Sequence, residues 1–320
     1  MEKTFYLEFA HVTEIAAISA ARAAGFGDKI AADRAAVQEM RAYLNTIDFK
    51  GKIVIGEGER DKAPMLYIGE ELGTKEGPRI DIAVDPLENT NATANLSPCA
   101  LTVLAAAEKG GLFHAPDMYM NKLVVPAEAA GQVDIDSPVD VNLKIIAKSL
   151  KRKLGDLVIV VLDRPRNEEL VSSIRKAGSR VKLIPDGDLM PGIAACMRGT
   201  GVHAVMGIGA APEGVMTAAA LRCLKGEMQA RFRPKNKDEE ARLKKMGGSV
   251  HKKYRTEDLA SGANIIFCAT GVTDGDVLKG VRFFGGGART HTLAMTNMSE
   301  KIRFIDTTHV HDKKEIDYHL

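Results

Sequence analysis

The chain has 320 residues, with 44 Lys and Arg against 42 Asp and Glu, so its formal net charge is +2. A charge this close to zero argues against a nucleic-acid partner held by bulk electrostatics, although local charges could still bind a small anionic substrate. With 45% hydrophobic and 27% charged residues, the composition is typical of a globular chain with one large or two ordinary domains.

The start of the chain, its cysteines and its hydropathy favour a cytoplasmic location. The first residues place acids and a histidine among apolar positions, which is typical of an amphipathic helix and not of a signal peptide. The four cysteines form no CxxC pair and have apolar neighbours, which predicts buried, reduced thiols. Because no run approaches the ~20 apolar residues of a membrane helix, we expect no membrane partner.

Helical periodicity covers residues 13–24 and 30–46, after which the pattern changes to short β-rich runs such as IVIG and IDIAVD. Helical stretches lie between several of these runs, among them KAPMLYIGEELG (62–73) and NEELVSSIRKAG (167–178). The alternation predicts an α/β fold whose second half is doubly wound. A weak pattern at 130–140 indicates a hinge, so we place a domain boundary between residues 155 and 156.

Two polar segments of the second half are expected to lie on the surface without binding a ligand. Residues 233–258 carry alternating charges at helical spacing, which indicates a solvated surface helix in preference to a polyanion site. His309, His311 and His319 suggest a metal site near the end of the chain, but terminal histidines usually bind nothing. We therefore expect no metal there.

Acidic residues follow several predicted strands at their C-terminal ends, where open α/β sheets place their ligands. These acids are Glu57, Glu59, Asp61, Asp85, Glu88 and Glu213. Carboxylates brought close together would repel one another, and a hard divalent cation such as Mg²⁺ or Mn²⁺ would remove that repulsion. Each acid taken alone could equally cap a helix or face solvent.

Thr90 lies two residues beyond Glu88 in the segment PLENT, where a helix is expected to start. Its hydroxyl could simply be an N-cap. Alternatively, a nearby carboxylate could orient the hydroxyl so that it positions a metal-activated water for in-line attack on phosphorus. This second alternative needs no covalent enzyme intermediate.

Residues suited to binding phosphate and sugar follow other strands. The segment RPR holds Arg164 and Arg166 on a stiff turn, which suits bidentate recognition of a phosphate. In IPDGD, Asp186 and Asp188 could accept hydrogen bonds from sugar hydroxyls, or they could belong to an ordinary turn. The segment GIGAAPEG (207–214) has a proline where a dinucleotide-binding loop has its last glycine, which excludes a Rossmann interpretation.

Eight segments of the chain, taken in order, form a specific combination. They are GDKIAAD (27–33), IVIGEGERDKAPMLYIGEELG (53–73), DIAVDPLENT (81–90), APDMYM (115–120), RPR (164–166), IPDGD (184–188), GIGAAPEG (207–214) and ATG (269–271). Together they resemble the class II fructose-1,6-bisphosphatases, which are lithium-sensitive, metal-dependent sugar phosphatases related to inositol monophosphatase. The resemblance covers about residues 11 to 311.

The resemblance implies a layered αβαβα sugar-phosphatase fold with two mixed sheets, in an α/β chain. It implies an N-terminal metal-binding α+β domain, 1–155, and a C-terminal α/β substrate domain, 156–320. The implied activity is hydrolysis of the 1-phosphate of fructose 1,6-bisphosphate to fructose 6-phosphate and phosphate, in gluconeogenesis. The implied cofactor is Mn²⁺ or Mg²⁺, and the implied assembly is a homo-oligomer, a dimer or a tetramer.

Individual residues also match the family's functional positions. Those that match metal ligands are Asp33, Glu57, Asp85, Glu88 and Glu213. Those that match the pair orienting the attacking water are Asp61 and Thr90. Those that match substrate-binding positions are Glu88, Asn89, Thr90, Tyr119, Arg164, Pro165, Arg166, Asp186, Gly187, Asp188 and Ala210. Of these, Asp33 has no signal of its own, because its surroundings are typical of a solvated helix position.

Two positions depart from the family's usual pattern. Asn89 replaces a glycine that suits backbone close to a phosphate or with positive φ, but asparagine is the next most tolerant residue for that conformation. Ala210 also stands where glycine is frequent, and its methyl group would narrow a substrate pocket. Both changes could alter activity or substrate preference.

Several alternatives stay open from the sequence. Segments such as GVRFFGGGART resemble relatives that also accept sedoheptulose 1,7-bisphosphate, while an inositol or nucleotide monophosphatase is a rival within the class. The RPR motif favours a substrate with two phosphates. A catalytically weak sugar-phosphate binding protein would not need Thr90 together with Asp61. An oligomeric scaffold for other enzymes is a third alternative.

Overall fold

The structure, a computed structural model, describes residues 2–57 and 65–310. In the described chain the helices are α1 (Glu2–Arg22), α2 (Lys29–Leu44), α3 (Thr90–Ala94), α4 (Val139–Ser149), α5 (Glu168–Lys176), α6 (Leu189–Ala195), α7 (Ala211–Leu224), α8 (Lys237–Lys245) and α9 (Thr256–Leu259). The strands are β1 (Lys50–Ile55), β2 (Glu71–Leu72), β3 (Arg79–Glu88), β4 (Leu101–Glu108), β5 (Tyr119–Val125), β6 (Val158–Leu162), β7 (Arg180–Ile184), β8 (Ala204–Ala210), β9 (Glu227–Arg233), β10 (Tyr254–Arg255), β11 (Ile265–Gly271), β12 (Arg282–Phe284), β13 (Gly287–Thr296) and β14 (Lys301–Val310).

Contacts divide the chain into two units. The first combines residues up to Lys109 with those from Asn264 onward, and the second is Gly110–Ala263. The strands of the first unit form a mixed sheet in the order β12-β13-β11-β4-β3-β1-β2, with β14 also paired to β13. In this sheet β1 and β3 run parallel, whereas β3 and β4 run antiparallel.

The helices α1 and α2 pack on the first sheet because each presents an apolar face to it. Phe9 of α1 and Met40 of α2 are fully buried in one cluster with Ile53 of β1 and Ile82 of β3. Burying a large apolar side chain of this kind contributes about 1.5–3 kcal/mol to folding. The core therefore holds α2, β1 and β3 in a fixed arrangement.

The second unit has its own mixed sheet, in the order β10-β9-β5-β8-β6-β7. Here β6 runs parallel to both β7 and β8, while β5 runs antiparallel to β8 and β9. Ile146 of α4 and Ile174 of α5 are buried with Ile159 of β6 in the core of this unit. Because parallel strands end on the same side of a sheet, the loops after β6, β7 and β8 lie along one edge.

The predicted α/β class with two mixed sheets is confirmed. The predicted boundary between residues 155 and 156 differs from the observed division, because β11 pairs with β4 and brings β13 and β14 into the first sheet. The second half is doubly wound only in part, since β11, β13 and β14 belong to the first sheet and β5 and β9 are antiparallel to their neighbours.

The predicted helix at 62–73 is wrong in its described part, residues 65–73. Tyr67 forms an isolated bridge with Glu57, and the segment ends in β2. Gly69 and Gly73 have φ of +95° and +87°, which a helix cannot accommodate. The apolar spacing that favoured a helix instead buries Leu66 on the sheet.

Two further observations concern the helices and the cysteines. Among the described residues, no helix is both long and apolar enough to cross a membrane. Cys99 is exposed, so the prediction of buried thiols is wrong for that residue. Cys223 and Cys268 are buried, as expected.

A chain of buried threonine hydroxyls joins α1 to the first sheet. The Oγ1 atoms of Thr13 and Thr270 lie 2.8 Å apart, and Thr270 lies equally close to Thr292. The Thr102 hydroxyl donates to the Thr13 carbonyl at 2.8 Å. All four side chains are fully buried, so their hydroxyls must find hydrogen-bond partners within the protein. The Thr13 hydroxyl also donates to the Ala10 carbonyl at 2.8 Å.

Replacing the central member, Thr270→Val, keeps the shape but removes the shared hydroxyl. We expect the free energy of unfolding to fall by about 1–3 kcal/mol, because the hydroxyls of Thr13 and Thr292 lose a partner in a buried place. Chemical denaturation measures the change. The control Thr308→Val, on the exposed face of β14, should leave stability nearly unchanged, and equal losses in both variants would contradict the prediction.

Candidate functional site

Three carboxylates of the first unit, from α2, from the segment after β1 and from β3, interact electrostatically. Asp33 lies one turn into α2, whose start is capped by Asp28 through hydrogen bonds from two backbone N–H groups at 3.1 and 2.9 Å. Glu57 follows β1 and is held by its bridge to Tyr67. Asp85 lies in β3, at the point where the pairing with β4 shifts register. Rigid elements therefore position all three acids.

The three carboxylates disfavour one another's charge. Burial and the negative charge of Asp85 raise the pKa of Asp33 to about 6. Burial raises the pKa of Glu57 to about 8, and the charges of Asp85 and Asp33 add to this effect. A cation among the three would relieve the repulsion, and Mg²⁺ and Mn²⁺ prefer oxygen ligands. The donor set fits a hard divalent cation.

The end of β3 leads directly into α3 through a left-handed residue. Glu88 is buried at the end of the strand, and Asn89 follows with φ 66° and ψ 56°. The side chain of Asn89 accepts a hydrogen bond from the backbone N–H of Ala92 at 3.3 Å, so Asn89 is the N-cap of α3. The expectation that asparagine can adopt this conformation is confirmed. Thr90 is the first helical residue, so the alternative that it is the N-cap is wrong.

A group of cationic and aromatic side chains lies at one edge of the second sheet. Tyr119 begins β5 and pairs with Ala210 at the end of β8. The guanidinium of Arg166 lies 4.3 Å from the centre of the Tyr119 ring, and Lys235 Nζ lies 4.5 Å from it. Arg166 Nε also donates to the backbone carbonyl of Ile208 at 3.0 Å.

The two terminal nitrogens of the Arg166 guanidinium are available to bind an anionic ligand. Within the described residues, its two terminal nitrogens have no hydrogen-bond partner, while Nε and the ring contact fix the orientation of the group. Planar donors held in this way suit an incoming phosphate. Lys235 adds a second positive charge on the same tyrosine ring.

A buried ion pair supports this edge from within. Lys122 Nζ lies 2.7 and 2.5 Å from the two carboxylate oxygens of Asp188 and donates to the Ala210 carbonyl at 3.1 Å. Both charged side chains are less than a tenth exposed. A Cβ at Gly209 would lie 2.3 Å from Asp188 Oδ2, so glycine is required there. Asp188 is thus engaged in holding β5, β8 and the start of α6.

The turn after β7 places its other aspartate at the surface. Asp186 is exposed, with Oδ1 accepting from the Gly187 N–H at 3.2 Å and lying 3.9 Å from Arg164 Nη2. Gly187 has φ 74°, so the tight turn expected for IPDGD is present. Pro165 begins a short 3₁₀ turn that carries Arg166 toward Tyr119.

The structure places the predicted residues in two groups. The first unit holds Asp33, Glu57, Asp85, Glu88, Asn89 and Thr90. The edge of the second sheet holds Tyr119, Arg164, Pro165, Arg166, Asp186, Gly187, Asp188 and Ala210, together with Glu213 in the first turn of α7. Glu213 therefore belongs to the second unit, unlike the other predicted metal ligands. Asp61 and Glu59 lie outside the described residues.

Two lysines of this edge were not predicted from the sequence. Lys122 had a readable signal, because a lysine inside the apolar run YMNKLVV requires a buried anionic partner. Lys235 had none, since it belongs to the charged segment that indicates a solvated surface. The helix expected there is α8, and Leu243 is buried on its inner side.

The raised pKa values predict how the metal-free protein responds to pH. The pKa of Glu57 is about 8 in the folded protein against an ordinary 4.5, so the folded state binds this proton more tightly. The resulting contribution to stability is complete below pH 4.5 and is lost as pH rises through 8. In excess chelator, we expect the Tm to decrease between these limits, and Glu57→Gln to flatten the decrease.

Thermal denaturation at several pH values measures this effect. The control Glu168→Gln, at an exposed acid of α5, should retain the slope of the parent protein. A parent Tm that rises with pH over this interval, or a Glu57→Gln profile with the same slope as the parent, would contradict the prediction.

Comparison with known proteins shows similarity along nearly the whole chain, to one protein family and to relatives that share one name. Residues 3–309 match the family described as "Bacterial fructose-1,6-bisphosphatase, glpX-encoded". A protein of Synechococcus sp. (strain JA-2-3B'a(2-13)) is 50% identical over 98% of both chains, and one of Synechocystis sp. (strain ATCC 27184 / PCC 6803 / Kazusa) is 46% identical over 99% of both. Both are named "D-fructose 1,6-bisphosphatase class 2/sedoheptulose 1,7-bisphosphatase".

Among solved structures, the extragenic suppressor protein suhB from Bartonella henselae aligns with a TM-score of 0.35 and 17% identity, over 59% of this chain and 71% of that one. The sequence matches alone, in particular the family match over residues 3–309, are decisive. The chain belongs to the glpX-encoded bacterial fructose-1,6-bisphosphatase family, the class II fructose-1,6-bisphosphatases.

Proposed function

We propose that the protein, a phosphatase by its family, hydrolyses the 1-phosphate of fructose 1,6-bisphosphate to give fructose 6-phosphate and phosphate. The observation that carries the proposal is the group of three carboxylates, Asp33, Glu57 and Asp85, whose mutual repulsion calls for a divalent cation. The family match and the relatives' names support the choice of substrate.

The metal ligands in this proposal are Asp33, Glu57, Asp85, Glu88 and Glu213, with Mn²⁺ or Mg²⁺ as the ion. When bound, such a cation neutralises carboxylate charge, polarises a phosphoryl oxygen and lowers the pKa of a coordinated water. The chain's own contribution is to keep the oxygen donors fixed before the ion arrives. Asp33 lies in a helix, Asp85 lies in a strand, and the bridge to Tyr67 holds Glu57, so all three acids meet this requirement.

The attacking water is oriented by Thr90 and Asp61 in this proposal. Thr90 is the first residue of α3, and the left-handed Asn89 before it sets the direction in which the helix starts. A hydroxyl on a capped helix start moves little, which suits the positioning of a nucleophile.

The edge of the second sheet binds the sugar bisphosphate in this proposal. Arg166, fixed by Tyr119 and the Ile208 carbonyl, recognises the phosphate that is not cleaved. Lys235 adds charge next to it, and Arg164 with Asp186 lies on the neighbouring loop. The Lys122–Asp188 ion pair positions the Ala210 carbonyl, so Asp188 supports the edge in addition to its predicted contact with the substrate.

Sedoheptulose 1,7-bisphosphate is a second candidate substrate, because the relatives' names include this activity. It shares the 1-phosphate and carries its other phosphate one carbon farther along the sugar. A homo-oligomer, dimer or tetramer, and a cytoplasmic location stay predictions.

The central experiment measures phosphate release at fixed Mn²⁺ from both bisphosphates and from an inositol monophosphate. We expect turnover of the bisphosphates to exceed that of the monophosphate. Thr90→Ala should reduce kcat for fructose 1,6-bisphosphate by about 100-fold or more, because the positioning hydroxyl is lost. Thr90→Ser keeps the hydroxyl and should retain most of the activity.

Equal rates for the parent protein and Thr90→Ala would remove the catalytic role of Thr90. No phosphate release from either bisphosphate, in a protein that binds them, would instead favour a catalytically weak sugar-phosphate binding protein. A marked preference for the inositol phosphate would make the chain a monophosphatase.

Arg166 gives a separate test of substrate recognition. In Arg166→Ala we expect KM for fructose 1,6-bisphosphate to rise about 10- to 100-fold, because a charge-assisted hydrogen bond to the second phosphate is lost. KM for fructose 1-phosphate, which lacks that phosphate, should change much less. Steady-state kinetics with Arg175→Ala as the control decides the matter, and equal effects on both substrates would contradict the assignment.

A further inference from the structure

Two histidines and a glutamate of the first unit form a cluster that the proposed phosphatase chemistry does not use. His11 and Glu14 lie three residues apart on one face of α1, and His309 lies near the end of β14. One side-chain donor atom from each of the three residues lies within 4.8 Å of the other two. This histidine cluster joins parts of the chain almost 300 residues apart.

Glu14 occupies the centre of the histidine cluster. Its Oε2 atom lies 3.3 Å from His11 Nδ1 and 3.7 Å from His309 Nε2. Its Oε1 atom accepts a hydrogen bond from the Thr307 hydroxyl at 2.7 Å and from the Thr292 hydroxyl at 3.3 Å. The carboxylate is therefore held through one oxygen while the other is directed at both imidazoles.

The carboxylate is also well buried. The side chain of Glu14 is only 6% exposed, and that of His309 is 10% exposed. A buried carboxylate needs a cation or several hydrogen bonds to be stable. The two threonine hydroxyls hold Oε1, and the imidazole of His11 contacts Oε2 at 3.3 Å. A cation between Oε2 and the two imidazoles would replace these imidazole contacts.

The two imidazoles are arranged side by side, with ring centres 5.9 Å apart and planes at 25°. The Tyr43 ring lies edge-on against His11 at 4.8 Å. The Thr290 hydroxyl lies 2.9 Å from His309 Nε2. His11 is 38% exposed, so it can adjust its position and leaves a path from solvent to the cluster.

These donors form the set that protein zinc sites use. Two imidazole nitrogens and one carboxylate oxygen, with water in the fourth position, are a common ligand set of Zn²⁺, and late first-row ions share this preference. Ligand atoms around a tetrahedral Zn²⁺ lie roughly 3.4 Å apart, given bonds of about 2.1 Å. The two distances to Glu14 are already near this value. The set would be completed by rotation of the partly exposed His11 ring and by release of the Thr290 hydroxyl from His309 Nε2.

We propose that His11, Glu14 and His309 bind one Zn²⁺ ion that joins α1 to β14, at a site separate from the carboxylates of α2, β1 and β3. The hydroxyls of Thr292 and Thr307 orient the carboxylate, as outer partners of metal ligands commonly do. The donor chemistry differs between the two sites, because imidazoles select borderline ions whereas the all-carboxylate group selects hard ones.

Cobalt(II) distinguishes the two sites, because a tetrahedral site with histidine ligands absorbs visible light far more strongly than a six-coordinate oxygen site. Tag-free full-length protein is titrated with Co²⁺ alone. We expect an intense visible band that saturates at one equivalent and is displaced by Zn²⁺. The band should persist in Asp85→Asn, whose carboxylate site is impaired, and in the control His251→Ala, an exposed histidine of the second unit.

The histidine variants give the decisive comparison. His309→Ala and His11→Ala should each weaken Co²⁺ binding by at least about tenfold. In the parent protein, Zn²⁺ at roughly 100 times its Kd should raise the Tm by about 4 °C, and this rise should be lost in both variants. Because His11 is partly exposed, His11→Ala is expected to fold even if His309→Ala does not.

Three results would overturn the proposal. The parent protein could show no intense band, which would mean that the cluster is held by hydrogen bonds alone. The band could persist unchanged in both histidine variants, or it could disappear in His319→Ala, which would place the ion on the end of the chain. Phosphatase activity with Mn²⁺ is expected to be unchanged in His11→Ala, so failure of this proposal is distinct from failure of the proposed function.

Discussion

The apolar core of the first unit is the constraint on which its candidate metal site depends, because it holds mutually repelling carboxylates in place. Asp33 lies in α2, Asp85 lies in β3 and Glu57 follows β1, and the apolar faces of these elements are packed into one core. The core keeps these groups together although their charges oppose the arrangement. Stability is thus exchanged for a preformed set of oxygen donors, a common feature of functional sites.

In the second unit, positively charged groups at the sheet edge are held in place without being neutralised. Arg166 is anchored through Nε and through the Tyr119 ring, so its remaining donors keep a fixed direction. Beneath it, the buried Lys122–Asp188 ion pair closes the junction between β5, β8 and α6. A side chain at position 209 would collide with that pair, which explains why a glycine occupies this position of β8.

Polar contacts of α1 tie distant parts of the first unit together. The threonine chain through Thr13 and Thr270 and the carboxylate of Glu14 connect this helix to strands from the far end of the sequence. Buried polar networks of this kind favour one arrangement of helix and sheet over alternatives, since a shifted register would leave several groups unsatisfied. The first unit is therefore joined by specific hydrogen bonds as well as by its apolar core.

The sequence alone determined the α/β class, most strands and helices, and the family, because apolar periodicity and contiguous motifs are local properties. It also identified the acids at the ends of β1 and β3, since strand ends in such sheets carry ligands. The prediction of Asp33 as a metal ligand came from the resemblance alone. In the sequence its helix position is typical of a solvated residue, and only the packing of α2 against β3 brings it near Asp85. The tertiary structure alone decided that β11, β13 and β14 join the first sheet, that Lys122 is paired with Asp188, and that His309 meets Glu14. These are contacts between residues far apart in the chain, and no local pattern records which partner a strand edge or a buried charge will find.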